Sequence, residues 1–351
     1  AEQSRAEQSR AEQSRAEQSR RIQVVRGLCV IAVLMIHNNP ETLWVSWIRP
    51  FYNFAVGTFL AISGYLTVIP VENVRLFYKK RISRVLIPYF MWSLVYGVIS
   101  ALKNEFEIVA FLNELLTFRT CGIYYYFSVY IQFVLLTPFI GKLVESNKWR
   151  MGFLITPVSY IPIYLLVIFR NPLNFPWNAI SCFVWFTFYY LGLCVRNGRI
   201  EVETKNVKKI VMAFAFTSFI QAIEGSIWFL FGDYDMSTTQ FKYTALIGTY
   251  ISVLIFLIYI NKGFKYFTAI SFSRFFKKVS TVLKKIGDNS FAIYLSHMLT
   301  MSVLNKLFYA RFNKVFPIDV MLLLFIEMIV ITICKKMFQK YPQFCKWVGL
   351  T

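Results

Sequence analysis

Ten apolar runs dominate this chain of 351 residues. A helix that crosses a bilayer needs about 17–25 predominantly apolar residues. Because lipid offers no hydrogen-bond partner to peptide groups, and the alternation of a β-barrel is missing, the runs predict helices. The sequence therefore predicts an all-α integral membrane protein, a bundle of about ten transmembrane helices. The predicted spans cover about residues 24–40, 51–70, 85–102, 123–145, 151–169, 177–195, 208–230, 243–261, 286–308 and 317–336.

Lysine and arginine are concentrated in alternate loops between these runs. The loop at 262–285 holds seven of them, and the loops at 71–84 and 196–209 hold five each. The loops in between carry few, except for 305–317. An excess of positive charge marks the cytoplasmic side of a membrane protein, so we expect both termini to be cytoplasmic.

The net charge of +20 raises the question of a nucleic-acid partner. The basic residues punctuate apolar runs, and no zinc-finger, recognition-helix or RNA-binding motif occurs. With 57% hydrophobic and only 16% charged residues, the composition instead indicates the lipid bilayer and its anionic headgroups as partner.

Residues 1–20 repeat the pentapeptide AEQSR four times, which is typical of an artificial addition. We expect this segment to extend the first helix and to have no function. The remainder, 21–351, predicts a single membrane domain without an appended soluble catalytic domain. Between the spans, 104–118 predicts an amphipathic helix on the outer surface or tucked into the bundle, and 264–283 a basic counterpart at the inner face.

The six cysteines show no CxxC spacing, and most lie in or beside apolar runs. This pattern favours small core residues. A disulfide between Cys121 and Cys182 on the outer side is the alternative.

Ionisable residues inside a span are costly and are candidates for function. Arg26 and His37 are eleven residues apart on the first predicted helix, which is slightly more than three turns. They therefore lie on nearly the same face of the helix, about 16 Å apart along its axis. The only other histidine, His297, follows Ser290 and Tyr294 at helical spacing on the ninth span. On parallel helices the two imidazoles would lie at similar depth. The alternatives are hydrogen-bonded packing histidines and an arginine that snorkels to the headgroups.

Three further polar residues fall within predicted spans. Glu224 and Glu327 are either buried protonated groups or contacts to a substrate, and Gln132 is a weaker, neutral candidate. All three are candidates for substrate binding. No metal site is predicted, because two histidines without matched cysteines or carboxylates fall short of the usual ligand set.

Several motifs, taken in order, resemble the membrane-bound acyltransferase-3 family. Its Arg-x10-His signature matches RGLCVIAVLMIH, and its Arg-x-x-Arg before the third helix matches KKRISRVLIPYF with Arg81 and Arg84. FLAISGYL contains the matching Ser63 and Tyr65, and YYYFSVYIQFVLLTPFI resembles the fourth helix. WFTFYYLGLCV and GDNSFAIYLSH fit the later motifs. The chain departs from the family at Tyr125 and Tyr126, where tryptophan is common, and lacks an acidic partner near Arg26.

The resemblance implies an O-acyltransferase of the bacterial plasma membrane that takes acetyl-CoA, or another acyl-CoA, from the cytoplasm. Within the family the chain is most similar to members that acylate Gram-positive capsules or surface polysaccharides, including the intercellular-adhesin succinylation protein. The acceptor is then a hydroxyl of a cell-surface or lipid-linked glycan, with Tyr125 a substrate-binding candidate.

Under this interpretation Arg26, Arg81 and Arg84, with Ser63 and Tyr65, bind the CoA. His37 acts as general base. His297, Tyr294 and Ser290 orient the acyl group or stabilise the oxyanion. The alternative is a transporter or flippase that moves a glycan or an acyl group without chemistry.

Overall fold

The computed structural model describes residues 2–70, 72–103, 105–169, 173–201, 203–263 and 273–350. These ranges are helical or irregular and contain no strand. Their helices are α1 (Glu2–His37), α2 (Leu43–Ile48), α3 (Ala55–Tyr65), α4 (Val74–Leu102), α5 (Ile108–Leu116), α6 (Tyr125–Glu145), α7 (Ile155–Ile168), α8 (Phe186–Arg196), α9 (Val207–Leu230), α10 (Tyr234–Thr238), α11 (Tyr243–Lys262), α12 (Ser273–Asp288), α13 (Ser290–Leu307), α14 (Ile318–Phe338) and α15 (Pro342–Trp347).

Five helical segments of the described chain are long and apolar enough to cross a membrane. They contain or nearly match five of the ten predicted spans, which confirms the all-helical, multi-pass membrane class. The number of about ten spans and the cytoplasmic termini stay predictions. The five segments are Val74–Leu102, Gly122–Glu145, Trp149–Val167, Thr204–Leu230 and Tyr234–Lys262.

Helices α3 and α8 are each only 11 residues long and pack against each other at the centre of the largest apolar core. A Cβ atom on Gly64 would lie 2.1 Å from the carbonyl oxygen of Tyr189, and one on Gly192 would lie 2.0 Å from that of Ala61. Only glycine permits this approach. The glycines of the SGYL and YLGL motifs therefore bring the backbones of two short helices into contact. Because α3 also lines the cavity described below, this contact helps to fix the position of the cavity wall.

Helix α1 is continuous from Glu2 to His37, so the repeat extends the first helix as expected. The repeat also makes contacts, because Gln18 donates a hydrogen bond of 2.8 Å to the Tyr65 hydroxyl. Helix α12 packs along α1, where a Cβ on Gly27 would meet the Leu283 carbonyl and one on Gly287 would meet the Gln23 carbonyl. The reversed order of these contacts shows that α12 is antiparallel to α1.

The described chain confirms an amphipathic helix, α5, within the predicted stretch 104–118, of which residue 104 lies outside the described residues. Of the predicted basic counterpart, 264–272 lies outside the described residues, and α12 begins at Ser273. All six cysteines are free, and four of them are buried, so the Cys121–Cys182 disulfide is not formed.

Candidate active site

A cavity of about 1640 Å³ lies among α1, α3, α4, α6 and α13. Aromatic side chains contribute to its wall from several helices, with Phe59 on α3, Tyr126 and Tyr130 on α6, and Phe291 on α13. Most of the polar residues predicted to carry function contribute to the same wall. The cavity is therefore the candidate site, and its ends differ in chemistry.

One end, called here the arginine end, is formed by Arg26 on α1 and by Arg81 and Arg84 on α4. The last two are three residues apart and share a helix face, and Arg84 is close enough to Arg26 for their charges to interact. Arg81 donates a hydrogen bond of 3.2 Å to the Leu66 carbonyl, which holds it beside the end of α3. Within the described ranges no carboxylate lies within ion-pair distance of any of the three. This end is therefore suited to an anionic ligand.

His37 lines the cavity away from that end, about 16 Å further along α1 than Arg26 by helical rise. Its ring centroid lies 5.5 Å from that of His297. Gly287, three residues before α13 begins, lies against Gln23, and His297 further along α13 lies beside His37 further along α1, so α13 runs parallel to α1. The two histidines are the histidine end of the cavity.

His297 is fully buried behind His37 and does not line the cavity. Its Nδ1 lies 2.9 Å from the carbonyl oxygen of Ile293 and 3.0 Å from that of Tyr294. Because carbonyl oxygens only accept, Nδ1 carries the proton of the neutral ring, and Nε2 carries the lone pair. That Nε2 has no hydrogen-bond partner. Neither ring nitrogen of His37 makes a hydrogen bond within the described part of the chain.

Ser290 and Tyr294 line the cavity from α13, as the helical stripe predicts. The Tyr294 hydroxyl, however, donates its proton to the Ile123 carbonyl. Its ring packs edge-on against Tyr126 and Phe127, with centroids 5.8 and 5.4 Å away. Tyr294 thus fixes α13 against α6, with its hydroxyl proton committed to that contact.

Ser63 and Tyr65, which were both predicted to contact CoA, face different ways. Ser63 lines the cavity and donates to the Phe59 carbonyl at 2.9 Å. Tyr65 is not part of the lining, and its hydroxyl donates to Asn261 at 3.4 Å.

Gln132 also lies outside the cavity lining, where it joins α6 to a neighbouring segment. Its amide nitrogen donates to Ser128 at 3.0 Å and to the Ile180 carbonyl at 2.8 Å. Its amide oxygen accepts from the Cys182 backbone at 3.0 Å. These three hydrogen bonds account for its place in a span by packing alone.

The two intramembrane glutamates are separate from the cavity lining as well. Glu224 accepts a short hydrogen bond from the Thr244 hydroxyl. Glu327 is fully buried and accepts a hydrogen bond of 2.6 Å from Ser296, the neighbour of His297, and its other oxygen has no partner. Of the substrate-binding candidates only Tyr125 lines the cavity.

Several polar residues of the cavity were not predicted from the sequence. Arg49 is the foremost, and Asn174, Asn178 and Gln240 add amide groups to the same cavity. The only signal in the sequence was that Arg49 is the single basic residue in a loop of the side with little positive charge. Among the described residues no cluster of histidine, cysteine and carboxylate side chains could hold a metal ion.

A family model described as an acyltransferase domain, Acyl_transf_3, matches residues 20–336. The chain belongs to this family. The match spans nearly the whole chain and includes every side chain named above for the two ends of the cavity. The match establishes that the chain is a membrane acyltransferase. No curated protein and no solved structure matches the chain.

Proposed function

We propose that this acyltransferase moves an acetyl group from cytoplasmic acetyl-CoA to a hydroxyl of an extracytoplasmic surface or capsular polysaccharide. The observation that carries the proposal is the single cavity with arginines at one end and His37 at the other. A donor with a polyanionic head and a thin arm ending in a thioester matches both ends.

The arginine end would bind the phosphates of CoA. Guanidinium groups bind phosphate oxygens through paired hydrogen bonds, and these three lack a carboxylate that would compete. Ser63, Phe59 and Tyr126, which line the same cavity, would then enclose the pantetheine arm.

His37 would be the general base. Its ring faces the cavity without a partner in the described chain, so one nitrogen is open to a substrate hydroxyl. His297 presents a lone pair, and not an N–H group, toward its surroundings. This lone pair favours the tautomer of His37 in which the N–H group points to His297. The second nitrogen of His37 is then free to accept a proton from the substrate hydroxyl.

The acceptor would enter beside the histidine end. Tyr125 and Phe175 line that wall with ring centroids 5.2 Å apart, and Asn174, Asn178 and Gln240 add amide groups. The amide oxygen of Asn178 is buried without a partner. Aromatic faces with a few amides suit a ligand that carries both apolar ring faces and hydroxyl groups. The surface-polysaccharide branch of the family provides such acceptors.

The test is transfer of radiolabelled acetyl from acetyl-CoA to purified surface polysaccharide by the protein in nanodiscs. We expect label in the polymer and a loss of about 10²–10⁴-fold in His37→Ala, the usual contribution of a general base. Calorimetry of the same variant should give the wild-type affinity for CoA, since His37 is remote from the arginine end.

Wild-type transfer by His37→Ala would exclude His37 as the base. A protein that neither transfers label nor binds CoA, but moves the glycan across the membrane, would instead be the flippase of the alternative interpretation.

A further inference from the structure

The proposed transfer passes through a negatively charged tetrahedral intermediate, and its oxygen needs hydrogen-bond donors. The stripe on α13, predicted to provide them, has few to offer. The Tyr294 hydroxyl donates to Ile123, and the only N–H group of neutral His297 faces backbone carbonyls. Ser290 lies seven residues before His297, about 10 Å away along the helix. The donor has to come from another element.

Arg49 lines the cavity at the histidine end although it follows the short helix α2 and belongs to no predicted span. It is only 9% exposed. Its Nη1 lies 3.5 Å from the carbonyl oxygen of Ile36, the residue before His37, and its charge is close enough to interact with His37. The guanidinium is therefore beside the proposed base.

The surroundings of Arg49 hold the side chain in place from two directions. Its Nε donates a hydrogen bond of 2.6 Å to Asn53, whose side chain is itself buried. The guanidinium also lies over the Tyr52 ring, 5.6 Å from its centroid. Such a fixed side chain requires little reorganisation when a negative charge forms nearby.

No carboxylate of the described chain lies within ion-pair distance of Arg49. The carboxyl end of α1 supplies a partial negative charge of about half a unit, which compensates the cation only in part. Burying a charge without a full counter-charge is costly. A negative charge that appears during the reaction would complete the compensation.

We propose that Arg49 is a catalytic residue that stabilises this oxyanion; the inference rests on the proposed function. The acceptor hydroxyl oxygen attacks the thioester carbonyl carbon while its proton passes to His37, and the carbonyl π electrons move to the oxygen that Arg49 binds. The carbon–oxygen double bond then re-forms, the carbon–sulfur bond breaks, and the CoA thiolate takes the proton from His37. The products are an ester and a free thiol.

The test compares Arg49→Gln, which removes the charge, with Arg49→Lys, which keeps it. We expect kcat of Arg49→Gln to fall about 10²–10³-fold, the effect of losing one oxyanion donor, while the affinity for CoA stays unchanged. The lysine variant should retain more kcat than the glutamine variant. In Arg49→Ala, added guanidinium at non-denaturing concentration should restore part of kcat.

Arg119→Ala is the matched control. Arg119 also makes a side-chain hydrogen bond, to Thr117, and lies over an aromatic ring, that of Trp177, but it does not line the cavity. We expect wild-type kcat and no effect of guanidinium in this variant.

Wild-type kcat in folded Arg49→Gln would overturn the proposal. So would equal losses in the glutamine and lysine variants without rescue, since a purely structural arginine behaves in that way. If the glutamine variant does not fold, the lysine variant decides: kcat lowered at unchanged Tm supports the proposal, and kcat and Tm falling together contradicts it. A wild-type protein that transfers no acetyl group refutes the proposed function itself.

Discussion

The contact between α3 and α8 links a backbone detail to the geometry of the candidate site. In Gly192→Ala the new Cβ would lie 2.0 Å from the Ala61 carbonyl oxygen, whereas ordinary contact begins at 3.4 Å, so the helices must separate by about 1.4 Å. The three nearest atoms of α3, which belong to Ala61 and Tyr65, are all backbone atoms and cannot rotate away. Since α3 carries Phe59 and Ser63 into the cavity, the shift reaches the substrate.

A misplacement of 1 Å caused by a mutation far from the reacting atoms can cost about 100-fold in rate. We therefore expect kcat of Gly192→Ala to fall by about this factor, measured as acetyl transfer in nanodiscs. Tm should fall as well, because overpacking a core costs about 1–3 kcal/mol. Gly122→Ala is the control: its Cβ would find the nearest atom at 3.5 Å, an ordinary contact. Wild-type kcat and Tm in Gly192→Ala would refute the argument.

Three further substitutions test separate parts of the account. Arg84→Ala should weaken CoA binding by about 1–3 kcal/mol, the cost of a lost charged hydrogen bond, and calorimetry that shows unchanged affinity would assign this arginine to topology alone. Gln132→Leu should lower the free energy of unfolding by about 1–3 kcal/mol for each buried group left unpaired, without changing the KM for acetyl-CoA; a raised KM at unchanged stability would place Gln132 in the binding site after all. Glu327→Ala removes the hydrogen bond that joins Ser296 to the neighbouring helix and leaves only the Ala292 carbonyl as acceptor, so its Tm should fall below that of Glu327→Gln, which keeps an acceptor at this place; equal values in the two variants would show that this hydrogen bond contributes nothing.

Helical periodicity was sufficient to predict the central relation of the site. Arg26 and His37 share one face of α1, and that face borders the cavity. The placement of His297 beside His37 followed from equal depth on parallel helices. Such inferences succeed because an α-helix fixes the relative position of residues that are close in sequence.

The polar residues inside spans were harder to interpret. Gln132 and Glu327 have the same sequence signature as a catalytic residue, yet each has a hydrogen-bond partner within the bundle and lies off the cavity. The cost of burying a polar group predicts that a partner exists, and not whether the partner is protein or substrate. Only the fold distinguishes the two.

Arg49 shows the opposite limit. In the sequence it is one basic residue in a loop, and loops have no periodicity that would fix the direction of a side chain. Its position depends on how α2 and the following turn fold back over the end of α1, which brings the guanidinium to the Ile36 carbonyl. The two short helices α3 and α8 were likewise predicted as full spans, because hydropathy measures the apolar length of a segment and not where its helix begins.

The sidedness of acetyl transfer in proteoliposomes would show whether donor and acceptor enter the cavity from opposite sides of the membrane. Protein of known orientation is supplied with labelled acetyl-CoA on the side of the arginine end and with polysaccharide on the side of the histidine end. We expect label in the polysaccharide from this arrangement, none when donor and acceptor are exchanged, and none with His37→Ala. Equal labelling in both arrangements, or labelling by the His37 variant, would contradict it.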